Sequence, residues 1–159
     1  MTEGGRMARA DPVTQERQSL YERDFYLWIE QQAARLREGR LDQLDVANLL
    51  EEIEDMGRSE KRAVEGNLVV LLTHLLKYRF QPKHRSSSWR GSIVEHRRRL
   101  RKLLSESPSL LPIARGLFSE CYADSCEQAA AESGLSPDTF PPEPPFTLEQ
   151  VLDPKYLPD

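Results

Sequence analysis

Leu68-Val-Val-Leu-Leu-Thr-His-Leu-Leu76 is the longest apolar stretch of the chain, and its reading decides the fold. A membrane span needs roughly 18 or more consecutive apolar residues, and this run is shorter and is interrupted by Thr73 and His74. Taken as a helix, Leu68, Leu72 and Leu75 define one face while Val69 and Leu76 cover another flank. Such a helix is apolar nearly all round and belongs at the centre of a bundle. No alternating strand pattern and no Asn-Gly hairpin signal lies on either side of it. The expectation is an all-α fold, a single-domain bundle of about five helices with an extended Pro-rich C-terminal strap and a short terminal helix.

Working outward, helix punctuation sets the other elements. Ser59 can cap the central helix, which runs to about Tyr78. Upstream, Asp45 can cap a helix whose Val46, Leu49, Leu50, Ile53 and Met56 follow the i, i+3, i+4, i+7 rule, with Gly57 at its end or at a kink. These two helices are alternatively one long bent rod. Ser19-Leu-Tyr-Glu22 fits a capping box for a first helix over about residues 20–38, with Gly39 just past its end. Downstream, Pro82 and the polar run to Ser88 break the chain before a helix over about 89–105. Ser107-Pro108 opens another, closed by Ser133-Gly134. Phe140-Pro-Pro-Glu-Pro-Pro-Phe146 is expected to run extended in polyproline II over the surface, and Thr147-Leu-Glu-Gln150 is a second capping box. In domain terms, 1–17 is a flexible tail, 18–134 the bundle and 135–159 the strap with its short helix.

The 159 residues are 38% hydrophobic and 30% charged, with a formal charge of −4. That total conceals three blocks. From Leu41 to Glu60 seven acidic residues face Arg58 alone, a net of −6; from Lys77 to Lys102 ten basic residues face Glu95 alone, a net of +9; from Leu103 to Asp159 ten acidic residues face two basic ones, a net of −8. The blocks either neutralise one another internally, or the basic one meets nucleic acid or another polyanion. No apolar h-region follows Met1, so a cytoplasmic location is expected. Cys121 and Cys126, about 140° apart on a helix, read as reduced structural thiols.

Wheel arithmetic ranks the charged residues. Glu51 and Asp55 point away from the apolar face of their helix, whereas Glu52 and Glu54 flank it at about 100°. In the Arg-rich helix, His96 and Arg97 lie within about 55° of the apolar centre, while Arg98 and Lys102 point out. A half-buried Arg97 needs an anion, and Glu52 or Glu54 is the expected partner. Carboxylates and imidazole facing one another inside a bundle form the standard helical metal site, which nominates Glu51, Glu54 and His74 as catalytic or divalent-metal residues. Lys77, Trp89 and Arg97 are the matching candidates for a phosphate or other anion, with Trp89 as stacking platform or loop anchor. Arg90-x5-His96 and Arg79-x4-His84 both fit the Arg-to-His spacing of metal-independent helical ribonucleases, a pattern such an Arg-rich segment produces by chance.

Several motifs in order resemble a known family: Tyr21-Glu-Arg-Asp24-Phe-Tyr-Leu-Trp28, Leu44-Asp45, Leu50-Glu-Glu-Ile-Glu54-Asp-Met-Gly-Arg-Ser59, His74-Leu-Leu-Lys77, Ser88-Trp89, Ser107-Pro-Ser-Leu110 and Phe140-Pro through Pro145-Phe146. They are similar to the bacterial family called domain of unknown function 29, over about residues 20–158. The resemblance implies an all-helical cytoplasmic protein and carries no established catalytic residue or ligand. Asp24, Trp28, Glu51, Glu52, Glu54, His74, Lys77 and Trp89 match its polar or aromatic positions, whereas His96 falls where the family varies. Two functions follow: an interaction or regulatory module whose acidic tail and Pro-rich strap shape a binding surface for a protein partner, or a small hydrolase or nuclease in which Glu51, Glu54 and His74 do the chemistry beside a basic phosphate-binding surface.

Overall fold

Asp24 divides the first predicted helix in two. In the computed structural model, which describes residues 19–159, α1 spans Leu20–Arg23 and α2 spans Phe25–Arg37. The Asp24 backbone is non-helical, and its carboxylate accepts the Leu27 N–H at 3.0 Å. A short acid that can cap its own following turn competes with helix continuation, and here it starts a new helix instead. The capping box at Ser19 and Glu22 forms as expected. The flexible tail assigned to 1–17 lies outside the described residues.

Asp45 caps the next helix as predicted, its side chain accepting the Asn48 N–H and its carbonyl the Leu49 N–H. This helix, α3, runs without interruption over Val46–Phe80, so of the two readings of 45–78 the single rod is correct and Ser59 is no cap. One interior glycine costs a helix only about 1 kcal/mol, and the residues around Gly57 are strong helix formers with no proline among them. Ser86 then caps α4, Ser87–Glu106, through the Trp89 N–H. Helix α5 covers Leu110–Ser133, with Pro112 in its first turn, where no intrahelical N–H is required. It ends at Gly134, whose φ of 72° is the left-handed conformation glycine adopts without penalty. The last helix, α6, is Leu148–Leu152, with the Thr147/Gln150 capping box complete. The fold is all-α, and no helix among the described residues is long and apolar enough to cross a membrane.

The chain divides into two compact units, one ending at Asp55 and one over Met56–Asp159. In the first, only Trp28 and Gln32 are buried among the described residues. Trp28 stacks on Phe25 and meets Tyr21 edge-on at 4.8 Å, and its indole N–H donates to Asp45 at 3.1 Å. Gln32 accepts the Asp45 N–H at 2.9 Å, and the Tyr21 hydroxyl donates to Glu52, which with burial pushes that phenol up to about 12. The second unit holds the main core. Val64, Leu68, Leu71, Leu72, Leu75 and Leu76 of α3 pack with Ile93 and Leu100 of α4, Ala114, Cys121 and Tyr122 of α5, and Phe140, Phe146, Leu148 and Val151 of the C-terminal segment. The segment around the prolines therefore turns its two phenylalanines inward. Cys121 and Cys126 are free thiols, and burial pushes Cys121 up to about 11, which keeps it protonated and inert.

Candidate functional site

Glu51, Glu54 and His74 all lie on α3. Glu51 and Glu54 belong to the first compact unit and His74 to the second. Glu51 and Glu54 are exposed. His74 is half-buried in the second unit, with Nδ1 donating to the Val70 carbonyl one turn earlier at 2.9 Å. Among the described residues, no group of three or more His, Cys, Asp or Glu side chains is placed to hold a metal ion.

Two of the predicted anion-binding residues do meet. The Lys77 ammonium lies 4.7 Å from the centre of the Trp89 ring, a cation–π contact between α3 and the first turn of α4. Glu132 of α5 fills the anion position beside it at 2.7 Å and is itself held by Gln128 at 3.0 Å. The bond to Lys77 holds the Glu132 carboxyl below the usual range. Glu132 escaped the sequence reading because it sits 55 residues from Lys77, a separation no helical periodicity registers. Nearby on the same helices, His96 donates from Nδ1 to Asn67 at 2.8 Å. Burial, then the positive charges of Arg99 and His74, hold its pKa below 6.5, with Glu95 opposing them.

Arg97 is elsewhere and has another role. It faces inward as the wheel predicts, but at 3% exposed it is buried rather than half-buried, and the expected carboxylate partner is wrong. Its Nε donates to the Val151 carbonyl at 2.7 Å and an Nη to the Tyr156 carbonyl at 3.0 Å. The physical reason is that α6 ends at Leu152, leaving main-chain carbonyls that need donors, whereas Glu52 is taken by Tyr21. Burial lowers the Arg97 pKa and the charge of Asp153 opposes that shift. On the outer side of α4, Glu95 receives Arg98 and Arg99 at 2.7–3.0 Å, and Lys102 lies 3.7 Å from Glu106. Part of the basic block is thus neutralised by acids of its own helix, a local solution available without the distant acidic segments. The two Arg-to-His spacings are not alike in place: His84 is exposed in a short turn, and only His96 is packed.

What the residue pattern did not single out is a bare apolar face in the first unit. Val46, Leu50 and Ile53 of α3 are 64%, 55% and 63% exposed, and Phe25, Ile29 and Leu36 recur at helical spacing on α2, each at least 40% exposed. Gln32, within the α2 stripe, is turned against the start of α3 by its bond to Asp45, so the two stripes adjoin. The signal was present: the spacing 46, 50, 53, 57 continues as 64, 68, 71, 75. The later positions are core, and Val46, Leu50 and Ile53 are exposed.

Neither the curated proteins nor the solved structures yielded a match to this chain. The profile described as "Domain of unknown function DUF29" matches residues 20–157, nearly the whole sequence, and the chain belongs to that family.

Proposed function

We propose that the chain is an interaction module whose first unit docks another polypeptide through the apolar stripes of α2 and the start of α3. The observation that carries this reading is the concentration of exposed large apolar side chains over residues 25–56, against Val94 and Ile113 alone in the remainder of the described chain. A contiguous exposed apolar patch above a few hundred Å² marks a binding surface in proteins that stay in solution. Covering Val46, Leu50 and Ile53 would contribute about 1–2 kcal/mol each, given that they are already about 40% covered. The docking surface is therefore α2 and α3 rather than the Pro-rich strap, whose phenylalanines and main-chain carbonyls are occupied by the protein's own core and by Arg97. The hydrolase or nuclease alternative receives no comparable support, since Lys77 is occupied by Glu132 and Trp89.

A photo-crosslinking residue at position 50, compared with one at Asp55 on the opposite side of α3, tests the reading in cells. Adducts to a polypeptide, whether another protein or the chain itself, are expected at 50 and not at 55. Equal labelling at both, or none at 50, overturns it.

A further inference from the structure

We infer that the occupant of this face is a second copy of the chain, packed about a two-fold axis so that α2 and the start of α3 from each copy complete a four-helix bundle. The inference rests on the docking reading above and names the partner. Two helices cannot enclose a core, and in the first unit they bury only Trp28 and Gln32 among the described residues. Two such pairs related by a two-fold axis make four helices around one core, and each then has an inner side.

The area agrees. Phe25, Ile29, Leu36, Val46, Leu50 and Ile53 are 40–64% exposed. Side chains of this size exposed to that extent present on the order of 550 Å² per copy, about 1,100 Å² for the pair, above the ~1,000 Å² a specific interface should clear. Positions 46, 50 and 53 carry no charge that would demand a complementary one. A single uncharged apolar patch is complementary to itself, and a patch that pairs with itself closes as a dimer instead of growing into a filament.

Charge separates a second copy from a different partner. Residues 19–55 hold ten acidic and four basic side chains, a net of −6. Pairing brings two such units together, so added salt, which screens repulsion between exposed charges, strengthens the dimer. A partner chosen for basic chemistry would show the opposite dependence.

The experiment is sedimentation velocity on the purified 159-residue chain across protein concentration and sodium chloride. The expected species has twice the 18.3 kDa chain mass, and its dissociation constant falls severalfold between low and physiological salt. L50E and I53E should each weaken the dimer roughly a hundredfold, because each substitution acts twice in a two-fold interface. V94E, at a residue equally exposed on α4, should leave it intact. Far-UV circular dichroism checks that the variants keep their helices; should they lose them, the wild-type concentration and salt series decides. A monomer under all conditions overturns the inference, as does a dimer indifferent to L50E and I53E or one weakened by salt. A monomeric protein that still forms residue-50 adducts with another polypeptide overturns the second copy and leaves the docking reading standing. Without such adducts both fall.

Discussion

Arg97→Met removes the one cation that the second unit has turned fully inward from α4. The wild-type guanidinium satisfies the Val151 and Tyr156 carbonyls at 2.7 and 3.0 Å, from a position 3% exposed. Methionine fills much the same volume without donors, leaving two acceptors in a place water reaches poorly. Each buried acceptor left unmet costs about 1–3 kcal/mol. Methionine recovers part of this, because the guanidinium no longer has to be desolvated. The net expectation is a loss of about 3 kcal/mol. For a unit of this size, residues 56–159, 3 kcal/mol corresponds to a fall of roughly 10–20 °C in Tm. Because both carbonyls belong to the C-terminal segment, the damage is also local. Hydrogen exchange should accelerate over residues 148–157 before it does in the middle of α3. Arg98→Met is the control: that side chain is 62% exposed and bound to Glu95, and such surface pairs are worth about 1 kcal/mol or less. A calorimetric Tm for R97M within two degrees of wild type, with exchange over α6 unchanged, would refute the idea that Arg97 ties the strap to the bundle.

Two further expectations follow from named contacts. Asp45→Ala removes the cap of α3 together with the acceptor for Trp28 and for the Asn48 side chain, at 3.1 and 2.7 Å. It should cost about 1–2 kcal/mol, with exchange accelerating first over residues 25–37; uniform acceleration throughout the chain would contradict a role confined to the first unit. His96 makes stability depend on pH. Its folded pKa lies below 6.5, so the unfolded chain binds the proton first; its contribution is whole above about pH 6.5 and is lost as pH falls toward the folded value. His96→Gln, which can still donate to Asn67, should flatten the urea midpoint against pH just below 6.5, and an unaltered slope would show that the loss arises elsewhere.

Much of this protein was legible before any fold was considered, because the readable features are local. Capping boxes at Ser19 and Thr147 formed since a side chain three residues away is all they need. Leu68–Leu76 became core because a helix apolar on every side has no other stable place. Arg97 turned inward because its angular position beside Ile93 and Leu100 follows from the helical repeat alone. Tertiary structure decided what met what. The Lys77–Glu132 pair joins residues 55 apart, and Arg97 reaches main-chain carbonyls 54 and 59 residues away. Those partners depend on chain return, which periodicity does not encode, and main-chain acceptors carry no residue identity to read. The same limit governs Val46, Leu50 and Ile53. Helical spacing marks them as an apolar stripe identical in kind to the one at Val64, Leu68 and Leu71, and only the packing of α4, α5 and the strap determines which of the two is covered within one chain.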